Sequence, residues 1–216
     1  MHELSRLLEA AGRGDFPAAD GSVRLTVQPS PRDCGVIAFT AHSVVFADVD
    51  HEWLRGLLPA DDLSAPLHPR FLRALEERTG RRVDNVDMLL TAGPLTGPPP
   101  LPLTELTDRG HPRVRRALRH RDDVRVWETD GGVVLLGRGV AGRWEVAGEV
   151  DPGHRGAGLG RLLALAGRHL LPTVDGAACT LWAQVAPGNA ASVRASLAAG
   201  FRPVGAEALL MQPERP

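Results

Sequence analysis

The chain has 216 residues, of which 25 are basic and 26 acidic, and its formal net charge of −1 at pH 7 argues against a broad nucleic-acid-binding surface. No apolar run approaches the roughly 20 residues that a membrane-spanning helix requires, and the N-terminus lacks a signal-peptide pattern. Cys34 and Cys179 lie in separate apolar stretches and are expected to be buried thiols. The sequence therefore predicts a soluble cytoplasmic protein with neither a nucleic-acid nor a membrane partner.

The first half of the chain predicts a small α+β domain over residues 1–95. A helix over residues 2–12 places Leu4, Leu7 and Leu8 on one face. Two further helices are predicted over residues 50–58, with Asp50 as N-cap, and over residues 69–80, ending at Gly80. The predicted strands cover residues 22–29, 35–41, 42–49 and 86–90. No catalytic motif is recognisable in this half.

A proline-rich stretch over residues 91–106 separates the two halves. Its five prolines lack backbone donors and favour extended conformations in the residues before them. We therefore place a domain boundary or a crossover there.

The second half predicts a mixed sheet with flanking helices. The strands are expected over residues 102–107, 123–129, 131–140, 142–150, 178–186 and 208–212. Helices are expected over residues 111–120, from Leu159 onward, and over 189–200. The middle helix carries one apolar stripe, formed by Leu159, Leu162, Leu163, Ala166 and Leu170. This order of elements implies a mostly antiparallel sheet with one parallel crossover, which is an α+β arrangement.

The turn HRGAGLG, residues 154–160, joins a predicted strand to a predicted helix. The first N–H groups of a helix lack intrahelical partners and favour an anion, and glycines allow a bulky ligand to approach the backbone. A purely structural tight turn is the alternative. A dinucleotide-binding fingerprint does not fit because Arg161 stands where its last glycine belongs, and a P-loop does not fit because the chain has no lysine.

Two motifs together resemble the GCN5-related N-acetyltransferase superfamily. The segment RGAGLG matches its R-x-x-G-x-G/A acetyl-CoA signature through Arg155, Gly158 and Gly160. The segment NAASVRASLAAGF, residues 189–201, is similar to a later helix of the same superfamily. The resemblance covers residues 144–205 well and residues 101–216 by element order. It implies an acetyltransferase domain over 101–216, preceded by an N-terminal domain that is either a degenerate second copy of the fold or a lid.

The resemblance also implies how acetyl-CoA would be bound. Two neighbouring strands, containing residues 144–150 and 179–185, would separate to admit the pantetheine arm. The backbone N–H of Val150 would donate to the thioester carbonyl. The remaining cofactor-binding residues implied by the resemblance are Arg155, Gly156, Ala157, Gly158, Leu159, Gly160, Arg161 and Asn189.

Glu149 is the candidate general base that would accept a proton from the attacking amine. Glu145 lies four residues earlier, on the same face of the predicted strand, but farther from the expected separation of the strands. Gln184 on the neighbouring strand could orient substrate or water. The superfamily commonly protonates the departing thiolate with a tyrosine, and Ser196 occupies that position in this tyrosine-free chain.

The resemblance therefore implies an acyl-CoA-dependent N-acyltransferase that acetylates an amine of a small molecule or a protein. A non-catalytic acyl-CoA-binding or protein-interaction module is the alternative, because the tyrosine is missing. The eight histidines show no metal-ligand spacing, so no metal is expected, and a homodimer stays open. A run of arginines forms either a solvated helix face or a grip for an anionic group: Arg113, Arg115, Arg116, Arg119 and Arg121.

Overall fold

The computed structural model describes residues 2–59, 61–175 and 179–213. Ala178, with which one predicted strand begins, lies outside the described residues, and so does the side chain of Arg113. The chain divides into two compact units, one formed by Met1–Leu89 with Val204–Pro216 and the other by Leu90–Pro203.

The elements of the described part of the chain are numbered in chain order. The α-helices are Glu3–Gly12 (α1), His51–Arg55 (α2), Pro69–Thr79 (α3), Pro112–Leu118 (α4), Leu159–Asp175 (α5) and Ala190–Ala198 (α6). The strands are Val23–Thr26 (β1), Gly35–Phe39 (β2), His42–Phe46 (β3), Arg82–Ala92 (β4), Thr104–Glu105 (β5), Asp122–Thr129 (β6), Gly132–Arg138 (β7), Trp144–Val150 (β8), Leu181–Val185 (β9) and Arg202–Met211 (β10).

Local capping signals place the start of α2 and the end of α3 where the sequence predicts them, whereas α2 ends at Arg55, before the predicted end at residue 58. Asp50 caps α2 by accepting a hydrogen bond from the backbone N–H of Trp53 (2.7 Å). Gly80 ends α3 in the left-handed region, with φ of 68°. Both predictions are confirmed. Each could be made from the sequence because it depends on residues only a few positions apart.

In the first unit the strand order is β1-β3-β2-β10-β4. Strand β1 runs parallel to β3, whereas β2 is antiparallel to both β3 and β10. Apolar residues of α2 and α3, including Leu54 and Leu75, pack with Val36, Val45 and Leu210 of the sheet in one buried core. The sequence assigns the predicted strand 208–212 to a domain over 101–216, but in the structure β10, which contains residues 208–211, pairs with β2.

The second unit carries the strand order β9-β8-β7-β6-β5. The pairs β5–β6, β6–β7 and β7–β8 are antiparallel, and β8–β9 is parallel. The prediction of a mixed, mostly antiparallel sheet with flanking helices in an α+β chain is therefore confirmed.

Helix α5 covers one face of β7 and β8. A Cβ atom added at Gly167 of α5 would lie 2.7 Å from Val146, so the helix and β8 approach closely at this glycine. Leu163, Ala166 and Leu170 of the predicted apolar stripe are buried, and Leu159 and Leu162 are half-buried. The helix position places the glycine-rich turn at the end of β8.

The proline-rich stretch lies against α5 within the second unit. Arg168 donates from Nε to the carbonyl of Gly93 (2.8 Å), and Leu95 donates its N–H to the carbonyl of Arg168 (3.1 Å). Its position beside α5 places this stretch in the Leu90–Pro203 unit. No helix in the described part of the chain combines the length and apolarity needed to cross a bilayer.

Candidate functional site

The glycine-rich turn connects β8 to α5 through an open stretch of backbone. Gly156 and Gly158 have φ values of 81° and 86°, in the left-handed region that favours glycine. A Cβ atom at either position would meet no heavy atom within 4 Å. A ligand can therefore approach the backbone here without displacing neighbouring side chains. Ala157, between the two glycines, is exposed.

Gly158 accepts the first backbone hydrogen bonds of α5. Its carbonyl accepts from the N–H groups of Arg161 (3.1 Å) and Leu162 (3.3 Å). Leu159 and Gly160 come before Arg161, in the first turn of the helix. N–H groups at this end have no acceptor within the helix, and together with the helix dipole they favour a negatively charged ligand. A Cβ at Gly160 would lie 3.6 Å from Ala195 of α6, so this glycine is close to the next helix.

Two exposed arginines flank the turn. Arg155 donates from Nε to the carbonyl of Val150 (3.3 Å), and Arg161 donates from Nε to the carbonyl of Ala198 (3.1 Å). These bonds hold the side chains close to β8 and α6, while the terminal nitrogens of each guanidinium carry its remaining donors. Charge and donors thus surround the open backbone.

Strands β8 and β9 separate beside this turn. Their parallel pairing in the described residues joins Trp144 to Leu181 and Glu145 to Trp182, and it extends no farther. We call the region where residues 146–150 of β8 diverge from residues 183–185 of β9 the strand opening. The predicted separation of these two strands agrees with this pairing.

The register of β7 and β8 decides which backbone groups face the strand opening. The N–H of Asp151 donates to the carbonyl of Gly131 (2.8 Å), and the N–H of Gly139 donates to the carbonyl of Arg143 (2.9 Å). Because hydrogen-bonded pairs alternate along an antiparallel ladder, odd-numbered residues of β8 bond to β7 and even-numbered residues point the other way. The N–H of Val150 is therefore directed away from β7, toward the strand opening.

The two carboxylates of β8 lie in different environments. Glu149 is exposed, whereas Glu145 is only 3% exposed. Oε1 of Glu145 accepts from Nε of Arg143 (2.9 Å) and from Nε2 of Gln184 (2.7 Å), and Oε2 accepts from Nε of Arg121 (3.0 Å). We call these four side chains the Glu145 cluster. The exposed Glu149 is accessible to a substrate, and the buried Glu145 is not.

Burial raises the pKa of the Glu145 carboxyl, but the charges of Arg143 and Arg121 and the hydrogen bond from Gln184 outweigh it and hold the pKa below 4.5. Glu145 therefore stays ionised at neutral pH. A carboxylate held in two ion pairs is unsuited to accept a proton from an amine, so Glu149 stays the candidate base on β8.

The depressed pKa of Glu145 has a consequence for stability. A carboxyl with a lower pKa in the folded chain stabilises it above the unfolded-state value, and this contribution is lost as the pH falls through the folded-state pKa. We expect the free energy of unfolding to fall as the pH drops below the usual range of a glutamate pKa, and to fall less steeply in Glu145→Gln. Urea denaturation at a series of pH values measures both slopes, and equal slopes would contradict the expectation.

Asn189 caps α6. Its side chain accepts a hydrogen bond from the N–H of Ser192 (3.1 Å), which accounts for an asparagine at this position. Its implied role in binding acetyl-CoA stays a prediction. Ser196, the candidate acid, is half-buried on the same helix.

Replacing Asn189 with alanine is expected to lower the free energy of unfolding by about 1 kcal/mol, because the cap is lost. Asn189→Ser keeps a capping oxygen and is expected to retain most of that stability. Urea denaturation of both variants measures the difference. A serine variant as unstable as the alanine variant would show that capping is not the role of this side chain.

Sequence reasoning missed the Glu145 cluster. Arg121 belongs to the arginine run, but its side chain crosses β7 and pairs with Glu145, whereas Arg115 and Arg116 are exposed as a solvated helix face would be. Gln184, expected to orient substrate or water, donates to Glu145. Gly137 near the end of β7 and Gly139 just after it are the sequence signal that could have indicated large side chains packed against this part of the backbone.

The described residues contain no group of three or more His, Cys, Asp or Glu side chains that could hold a metal ion. Cys34 and Cys179 are free thiols, of which Cys34 is buried and Cys179 half-buried. Burial raises the pKa of the Cys34 thiol to about 11, so it is protonated and unreactive at neutral pH.

No protein-family model and no curated protein matches the chain. Among solved structures, a GCN5-related N-acetyltransferase from Kribbella flavida is similar with a TM-score of 0.42 and 20% identity, over 67% of this chain and 64% of that one. A GCN5-related N-acetyltransferase from Sphaerobacter thermophilus is similar with a TM-score of 0.40 and 18% identity, over 68% of this chain and 57% of that one. The matched region is thus less than two thirds of either protein, and neither likeness assigns a function to this chain.

Proposed function

We propose that the chain is an acyl-CoA-dependent N-acyltransferase of the GCN5-related type, which transfers an acetyl group from acetyl-CoA to an amine. One observation carries the proposal: β8 leads, through the 3₁₀ turn Pro152–His154, into an open glycine-rich turn at a helix N-terminus, and its described pairing with β9 stops after two residues. A site for an anionic cofactor thus follows, a few residues later, the part of β8 that lies beyond the described pairing with β9.

The turn suits the pyrophosphate of acetyl-CoA. Gly156 and Gly158 leave the backbone open, the N–H groups of Ala157, Leu159 and Gly160 offer donors, and the dipole of α5 adds roughly half a positive charge. Arg155 and Arg161 supply full charges beside it. The residues present therefore fit a phosphate-bearing co-substrate.

The chemistry would take place in the strand opening. The amine nitrogen attacks the thioester carbonyl carbon, the Val150 N–H donates to the carbonyl oxygen, and Glu149 accepts the proton that the amine loses. The new C–N bond forms as the C–S bond breaks, and the CoA thiolate then takes a proton through Ser196 or water. The acceptor is an amine of a small molecule or a protein.

The absence of tyrosine from the chain favours one other candidate, a module that binds acyl-CoA without catalysis. Both functions require the turn to bind the cofactor. They differ in whether bound acetyl-CoA releases its thiol when an amine is added.

Calorimetric titration of the full chain with acetyl-CoA tests the binding step. Saturable binding is expected, and S-acetylpantetheine, which lacks the pyrophosphate, should bind at least about 10-fold more weakly because it loses hydrogen bonds to a charged group. Absence of acetyl-CoA binding, or equal affinities for the two compounds, would overturn the proposal.

A further inference from the structure

The Glu145 cluster lies at the point where β8 and β9 separate. Glu145 is the last residue of β8 that pairs with β9, and its partner in register is Trp182. Gln184 lies two residues beyond Trp182 and on the same side of β9. Its hydrogen bond to Glu145 (2.7 Å) therefore joins the two strands just beyond their last paired backbone residues.

The cluster is anchored on the opposite side as well. The N–H of Val140, in the connection between β7 and β8, donates to Oε1 of Glu145 (3.3 Å). Arg121, which directly precedes β6, donates to Oε2 (3.0 Å). A single buried carboxylate thus connects β9 to the segments that begin β6 and follow β7.

Two glycines provide the space for these side chains. A Cβ atom at Gly137 would lie 2.9 Å from the side chain of Arg121, and one at Gly139 would overlap the carboxyl group of Glu145. Since any other residue at these positions would displace the cluster, the glycine in β7 and the glycine just after it make room for these side chains.

The position of Glu149 depends on the same strand. Glu149 lies four residues after Glu145 on the same face of β8, and Val150 follows it. The described pairing with β9 ends at Glu145, and the Gln184–Glu145 hydrogen bond joins the two strands at the start of the opening.

We infer that Glu145 and Gln184 are positioning residues, which set the separation of β8 and β9 at the strand opening and so hold Glu149 and the Val150 N–H at the reacting thioester. The inference rests on the proposed function. Neither residue touches the reacting atoms. Their effect is on geometry, and a misplacement of about 1 Å can cost on the order of 10²-fold in rate.

A positioning role predicts a split between turnover and binding. The residues that would hold the pyrophosphate, 155–161, belong to the turn and to α5, whereas the hydrogen bonds of the Glu145 cluster join β8 to β9 and to the segments beside β6 and β7. Loosening the opening should therefore lower kcat while leaving the affinity for acetyl-CoA almost unchanged. A loss of folding would lower both.

Gln184→Met tests the inference, because methionine has a similar length and shape but no amide donor. Gln212→Met is the matched control: Gln212 also donates a hydrogen bond from Nε2, to the carbonyl of Pro31 (3.2 Å), but it belongs to the other compact unit. We expect kcat of Gln184→Met to fall about 10- to 100-fold with the Kd for acetyl-CoA changed less than about 3-fold, and both values of Gln212→Met to match the original chain.

Each outcome decides between the claims. If the original chain turns over and Gln184→Met turns over equally well, or loses acetyl-CoA affinity in parallel with kcat, the positioning role is wrong while the proposed function stands. If the original chain neither binds acetyl-CoA nor releases CoA, the proposed function fails and this inference with it. Should Gln184→Met not fold, Gln184→Asn, which keeps the amide but shortens its reach, is measured in the same way with the same expected split.

Discussion

Replacing Glu149 with glutamine is expected to lower kcat by about 10²- to 10⁴-fold, because an amide of nearly the same shape cannot accept the proton of the attacking amine. The affinity for acetyl-CoA should change little, since the residues expected to bind its pyrophosphate follow Glu149 in the turn and α5. Steady-state release of CoA and calorimetric titration measure the two quantities separately.

Glu128→Gln is the matched control for Glu149→Gln. Glu128 of β6 is exposed and pairs with Val133, which in turn pairs with Glu149, so both carboxylates lie in one row on one face of the sheet. The control removes the same charge two strands away and should leave kcat unchanged. A similar loss of kcat in both variants would show that kcat depends on the negative charge of this row of side chains, and that Glu149 is not the general base.

Replacing Gly158 with alanine is expected to weaken acetyl-CoA binding by about 10- to 100-fold, the value of one or two hydrogen bonds to a charged group. The added methyl group projects into the open space beside the turn, and a φ of 86° is strained for alanine by about 1–2 kcal/mol. Calorimetric titration measures the affinity, and urea denaturation measures the strain.

Gly97→Ala separates strain from binding. Gly97 has a φ of 83°, a Cβ there would also meet no heavy atom within 4 Å, and it belongs to the same compact unit. The two alanine variants should lose similar stability, but only Gly158→Ala should lose affinity. If both variants bind acetyl-CoA as the original chain does, the open turn is structural and is not the pyrophosphate site.

The sequence predicts those features that depend on neighbouring residues. Asp50 and Asn189 accept hydrogen bonds from N–H groups three residues away, and Gly80 and Gly200 adopt positive φ just after their helices. Each of these ends is encoded within one turn of chain, so a single sequence suffices to place it.

Strand lengths are less predictable where polar residues interrupt the pattern. Strand β4 begins at Arg82, yet Asp84 and Asn85 are exposed and hide the alternation, so only residues 86–90 are predicted as strand. Strand β10 likewise begins at Arg202, ahead of the apolar residues 208–212. Its pairing with β2 joins residues more than 160 positions apart, a relation that no local pattern carries.

The candidate site likewise has one part that a local motif predicts and one part that depends on residues far apart in the chain. The glycine-rich turn is a local motif, and its open backbone lies where the sequence indicates. The Glu145 cluster joins side chains 24 and 39 positions apart, and the direction of the Val150 N–H follows from a register fixed by contacts with β7. Such relations depend on tertiary packing, which is why composition and spacing alone do not reveal them.

Release of free CoA from acetyl-CoA by the full chain, measured with and without a panel of primary amines, tests the central claim most directly. We expect release that depends on at least one amine and that is matched by an equal amount of the N-acetylated product. Saturable binding of acetyl-CoA with no amine-dependent release from any member of the panel would contradict catalysis and would establish a binding module instead.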